Sequence, residues 1–323
     1  MFTLDELRAA ADLVHGRMPP TPQYNWPALS QRLGVETWVK HENHTPTGAF
    51  KVRGAFTFID WLTRAHPDAN GIVTATRGNH GQGQALAARA AGLRAVVVVP
   101  NGNSTEKNAA MRAFGAELVV HGADFDAARE EAMRIAAAEG LFMVPPFHPE
   151  LVRGVASYAL ELFEAVPDLD CVYVPIGCGS GICGVISARD ALGLATQIVG
   201  VVSDRADCAK RSVAAGRPVP TDSATTFADG MAVRVPVAEA LAVYGPGAAR
   251  IVTVSDDAIA EAIRILLQDT HNLAEGAGAA PLAALMAERG RGAGRRAAVI
   301  LCGQNIDRDW LATVLAGRTP RVG

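Results

Sequence analysis

Short apolar runs alternate with amphipathic stretches along most of the chain. The runs TWVKHE, GIVTAT, AVVVVP, AELVVHG, CVYVPIG, QIVGVVS, IVTVSD and AAVILCG are rich in Val and Ile and have strand length. Between them, Ala-rich segments at 80–91, 123–139, 256–268 and 278–289 repeat their apolar residues at helical spacing. The opening stretch MFTLDELRAAADLVHGRMPP reads as an amphipathic helix stopped before Pro19 and Pro20. Strand–helix alternation predicts an α/β fold of mostly parallel sheets covered by helices on both faces. In such sheets, ligands bind beyond the carboxyl ends of the strands, where loops enter helices. The loops are therefore the places to look for chemistry.

Composition narrows the classes. The chain has 323 residues, 49% hydrophobic and 20% charged, enough for two domains or one large one. Its net charge is -3, and Lys and Arg are scattered. That leaves no electrostatic footprint for nucleic acid. The longest apolar run, RAVVVVP, is too short to span a bilayer, and the N-terminus lacks a signal-peptide core. The expectation is a cytoplasmic protein with no membrane partner. Cys171, Cys178, Cys183, Cys208 and Cys302 are odd in number and include no CxxC pair, so free thiols are expected rather than a zinc site.

Four loops carry candidate chemistry. In TPTGAFKVRGAF, Lys51 follows a Gly-Ala-Phe turn and has no acidic neighbour. An ordinary surface lysine sits among charges. In TATRGNHGQG, a strand ends in a turn with Gly78 and Gly81, and a helix begins near Asn79 or His80. Its free amides, with Thr76 and Asn79, suit a carboxylate, although an Asn capping its own helix reads the same way. In VPIGCGSGICG, a buried strand runs into Gly177, Gly179, Ser180 and Gly181. This suits a phosphate, but it is neither a P-loop nor a dinucleotide fingerprint, and a plain tight turn fits equally. In AAVILCGQNID, Cys302 ends a strong strand, where it is either a core thiol or part of the crevice. A lysine and a phosphate cradle together suggest pyridoxal phosphate (PLP) held as a Schiff base.

At this point the chain resembles the PLP enzymes of the tryptophan-synthase-β-like fold (fold type II), and within them the threonine/serine dehydratases. HENHTPTGAFKVRGA is similar to the family's lysine motif, TRGNHGQG to its substrate-carboxylate loop and PIGCGSG to its phosphate loop. NSTEKNAAMRAFGAEL, FADGMAV, AEGAGAA and CGQNID follow in the family's order. The resemblance implies two open, mostly parallel twisted sheets with the cofactor in an interdomain cleft. A small domain, 72–147, would be inserted into a large one made of 1–71 and 148–323. A homodimer acting on a small amino acid is expected.

The resemblance also implies roles. Lys51 would form the Schiff base, and Phe50 would pack on the pyridine ring. Asn79 would meet the ring hydroxyl, and Cys302 the ring nitrogen. Gly177, Cys178, Gly179, Ser180 and Gly181 would hold the phosphate. Thr76, Arg77, Gly78, Asn79 and His80 would surround the substrate carboxylate, His80 through its backbone as much as its ring. Glu275 would lie near the cofactor or only cap the helix after it. The expected reaction is elimination of water from a β-hydroxy amino acid, giving a 2-oxo acid and ammonia. A neutral thiol at the ring nitrogen favours that route.

Two departures from the family pattern matter. Serine racemases of the family carry Ser where this chain has Arg77, and members with a cation site carry a glutamate where it has Ser203. No metal is therefore expected. The chain ends soon after Cys302, so the C-terminal regulatory domain of some dehydratases, and feedback through it, are not expected. Three alternatives stay open: a lyase for 3-hydroxyaspartate or another β-hydroxy amino acid, suggested by Arg77; an amino-acid racemase; and a degenerate amino-acid-binding protein.

Overall fold

The computed structural model describes residues 2–290 and 294–322. Thr3 and Glu6 close a reciprocal capping box on the first helix, Leu4–His15, which ends before the two prolines as its sequence requires. The strands are β1 (Gln23–Asn25), β2 (Glu36–His41), β3 (Gly71–Ala75), β4 (Arg94–Val99), β5 (Glu117–Val120), β6 (Phe142–Met143), β7 (Cys171–Pro175), β8 (Gln197–Ser203), β9 (Arg250–Val254) and β10 (Arg296–Leu301). All eight strands predicted from apolar runs are present. The two additional ones, β1 and β6, have three and two residues, too few to show any periodicity.

The strands form two sheets. One has the order β1-β2-β10-β7-β8-β9, the other β5-β4-β3-β6. Every pairing is parallel except the edge pair β1–β2. Parallel strands covered on both faces need continuous apolar runs, and β10 supplies one: Ala297 through Leu301 are all buried.

Helix Lys51–Ala65 joins the two layers. Its Val52, Phe58 and Leu62 share a core with Ile72 and Ala95 of the smaller sheet. Helix Pro149–Ala165 packs beside it so closely that a Cβ on Gly154 would lie 2.5 Å from the Arg53 carbonyl oxygen. Strands β2, β3, β7 and β10 send their carboxyl-end loops to one region, and that region contains all four candidate loops.

Candidate active site

The lysine loop is stitched to the end of β10. Phe50 N donates to the Cys302 carbonyl at 3.0 Å, Gln304 N donates to the Gly48 carbonyl at 2.9 Å, and Ala49 bridges Gly303. Gly48 turns with φ 68, and a Cβ there would come within 2.7 Å of Asn305 Oδ1, so only glycine fits. This seam puts Lys51 at the first position of its helix, half-buried. Its Nζ makes no hydrogen bond among the described residues and lies 5.4 Å from the Phe50 ring centre. Lys51 is thus a primary amine presented to a cleft.

Opposite it runs the glycine turn. Gly179 adopts φ 100, and helix Ser180–Ala191 starts directly after it, leaving first-turn amides unbonded within the helix. A Cβ on Gly177 would lie 2.1 Å from the Gly230 carbonyl oxygen, so the turn fits under residue 230 only as glycine. Tyr158 props both this turn and the lysine loop. Its hydroxyl donates to the Gly181 carbonyl at 3.3 Å, and its ring meets Phe50 edge-on at 6.2 Å.

Phe50, Lys51, Asn79, Gly177 to Gly181 and Cys302 line one cleft. Burial, then the nearby Glu275 carboxylate, pushes the Cys302 thiol well above its ordinary range and holds it neutral. Burial also raises Cys178, against the opposing charge of Lys51. Among the described residues, Cys171, Cys183 and Cys208 form no disulfide.

Of the loop 76–80, Asn79 alone is in the cleft lining. Thr76 is buried, and its Oγ1 accepts from Gly78 N at 3.1 Å, closing the turn before helix Asn79–Ala90. Asn79 does not cap that helix. Its Nδ2 donates to Glu275 Oε1 at 2.8 Å and Oε2 at 3.0 Å, and its Oδ1 accepts from Asn305 at 2.8 Å. Glu275 likewise gives no side-chain cap to the helix that follows it. Burial raises its carboxyl, and the charge of Lys107 works the other way.

His80 is held neutral, pushed down to about 3 by burial and by Lys51. Its Nε2 is shielded from solvent without a partner. Arg77 is exposed and pairs with no described carboxylate. Ser203, at the end of β8, is fully buried and accepts from Arg205 N at 3.2 Å. Among the described residues, no group of three His, Cys, Asp or Glu is placed to hold a metal.

Sequence reasoning quoted the motifs holding Asn305, Gly230, Lys107 and Asp229 but did not single these residues out. Asn305 meets Asn79 across 226 positions and Lys107 meets Asp229 across 122, while Gly230 packs on Gly177 from a separate segment, so no local pattern shows them.

The donor set fits a phosphate-bearing aromatic aldehyde. It offers a free amine, an aromatic face, a neutral thiol and a glycine turn with free amides at a helix start. The comparisons agree. A biosynthetic L-threonine dehydratase of Pasteurella multocida is 36% identical over 266 residues, 82% of this chain and 52% of that protein. The chain therefore spans about half the length of such curated relatives. An L-threonine ammonia-lyase of Thermotoga maritima is 33% identical over 316 residues, 98% of this chain and 78% of that protein. The solved processed form of threonine deaminase isoform 2 from Solanum lycopersicum superposes with a TM-score of 0.88 at 29% identity, covering 98% of this chain and 94% of that one. No described helix is long and apolar enough to cross a membrane. The pyridoxal-phosphate dependent enzymes match residues 15–303, and the chain belongs to that family.

Proposed function

We propose that this protein is a PLP-dependent ammonia-lyase that removes water from a β-hydroxy amino acid of the threonine or serine type. The observation that carries this reading is the unbonded Lys51 amine, set in one cleft with the neutral Cys302 thiol and the Gly177–Gly181 turn. When bound, PLP supplies the electron sink that lets a Cα–H and then a Cβ–O bond break. The chain's own groups do the rest. The amides of the Gly177–Gly181 turn and the Ser180 hydroxyl would hold the phosphate, and Phe50 would pack against the ring.

Cys302 would stand beside the bound ring as a neutral partner. Lys51 Nζ would hold the cofactor through its amine and would serve as the base for the substrate α-proton. Thr76, Gly78, Asn79 and His80 orient the amino-acid carboxylate. Asn79 is itself held in place by Glu275 and Asn305. The β-hydroxyl would leave as water, taking up the equivalent of the proton that Lys51 removed from Cα, and the enamine released would take up water to give the 2-oxo acid and ammonia. The division into 72–147 and the rest belongs to the same proposal. Its support is that all strands of the four-stranded sheet fall between residues 71 and 143.

A second reading rests on Arg77. It is exposed and unpaired on the loop that faces the substrate, so it is free to meet an acidic side chain such as that of 3-hydroxyaspartate. The test is release of ammonia and 2-oxo acid across L-threonine, L-serine and 3-hydroxyaspartate, with chiral chromatography of the remaining amino acid. Turnover of threonine or serine without D-enantiomer supports the first reading, and preference for 3-hydroxyaspartate supports the second. Lys51→Ala is expected to abolish turnover and the visible absorbance of the holoenzyme. Full activity in that variant would sink both readings.

A further inference from the structure

Lys107 does not line the cleft, yet it is 6% exposed and carries its charge into the interior. It sits on helix Thr105–Ala113, between two strands of the smaller sheet. Its Nζ lies 2.5 Å from Asp229 Oδ2, in the turn Asp229–Met231, between two strands of the larger sheet. The pair thus crosses from one sheet layer to the other. Burial works against the lysine's charge, but the carboxylates of Asp229, Glu275 and Asp307 outweigh it and keep it charged.

Both ends of the pair touch the site. The Lys107 methylenes lie over the substrate-facing turn: a Cβ on Gly78 would meet Lys107 Cδ at 3.0 Å. Next to Asp229, the Gly230 carbonyl roofs the phosphate turn at Gly177. The lysine's helix is aimed by a second set of cross-layer bonds. Ser104 Oγ accepts from Lys107 N at 3.1 Å and donates to Asp307 Oδ1 at 2.6 Å, while Arg308 N donates to Glu106 Oε2 at 3.2 Å.

We propose that the Lys107–Asp229 pair is a latch that holds the Thr76–Gly78 turn in register with the roof of the cofactor cradle, making Lys107 a positioning residue for substrate binding. The substrate part rests on the lyase reading above. The latch part does not, because it concerns two segments of the protein before any substrate arrives.

The experiment compares Lys107→Met, Lys107→Arg, Asp229→Asn and the Lys107→Met/Asp229→Asn double variant as full-length holoenzymes. Without substrate, hydrogen exchange of residues 76–82 and 226–231 is expected to quicken in Lys107→Met and Asp229→Asn. It should return towards wild type in Lys107→Arg. With the best substrate, KM should rise at least about tenfold in each single uncharged variant, while kcat stays within about threefold. The double variant should be no worse than either single one, because both changes remove one interaction. Unchanged exchange at both segments in Lys107→Met would overturn the latch whatever the substrate. Multiplying effects in the double variant would also overturn it, as would a fall in kcat with KM unmoved in Asp229→Asn. Quickened exchange in a protein that turns over no β-hydroxy amino acid would uphold the latch and refute the lyase reading alone.

Discussion

Cys302 shows what one neutral side chain contributes at this site. It is 4% exposed, and burial together with Glu275 keeps its thiol protonated. Serine preserves a small neutral group there, so Cys302→Ser is expected to keep elimination within about threefold. Aspartate would set a second buried carboxyl beside Glu275, and each would disfavour the other's charge. Cys302→Asp is therefore expected to lower turnover at least about tenfold and to weaken PLP binding in an absorbance titration. Equal turnover in all three proteins would remove Cys302 from the chemistry. Its position was legible in the sequence because a strong strand ends on it. Glu275 was harder to read. A glutamate ahead of a Gly-Ala run looks like a cap, and only the folded chain brings Asn79 to it across 196 positions. The sequence leaves Asn79 open as a ligand contact or as its own helix cap; the fold excludes the cap and shares its side-chain amide between Glu275 and Asn305.

At the scale of the element, the helix that presents Lys51 is fixed from below by an ion network that no local pattern announces. Arg53, two residues beyond Lys51, is fully buried. Its Nε donates to Glu42 at 2.7 Å and its Nη1 to Glu161 at 2.6 Å and Ser157 at 2.9 Å. Lys40, also buried, reaches Glu161 at 2.5 Å. The network ties together β2, the lysine helix and helix Pro149–Ala165. Removing one partner leaves uncompensated buried charge, so Arg53→Met is expected to destabilise the protein by about 3–5 kcal/mol in urea unfolding. A loss under about 1 kcal/mol would mean that water compensates Glu42 and Glu161. The strands and main helices were legible because burial on both faces imposes apolar runs. The network was not, since its acids come from segments 11 and 108 positions away.

At the scale of the whole molecule, three buried groups make stability depend on pH in one direction. His41 is pushed down to about 4 by burial and by His44. Trp26 Nε1, which can only donate, points at His41 Nε2 at 3.0 Å, so that nitrogen carries a lone pair and the ring is neutral. His80 is pushed down to about 3 by burial and Lys51. Burial opposes the charge on Glu161, but Arg53 and Lys40 outweigh it and hold the carboxyl at about 2. A histidine whose folded value is depressed contributes stability that is full above its unfolded value, about 6.5, and is lost as pH falls towards the folded one. Glu161 follows below about pH 4.5, as its unfolded form takes up protons first. Glu150, Asp256 and Glu275, raised by burial, act oppositely, because their folded forms gain protons at higher pH. A difference between two proteins cancels those carboxyls. From about pH 7 to about pH 5.5, each depressed histidine should cost about 1 kcal/mol. His41→Gln should therefore lose about 1 kcal/mol less than wild type over that interval, whatever its stability at neutral pH. Urea unfolding of both holoenzymes at the two pH values, followed by tryptophan fluorescence, measures the difference. Identical losses in the two proteins would show that His41 is protonated alike in the folded and unfolded chains, and that the Trp26 hydrogen bond does not hold its ring neutral.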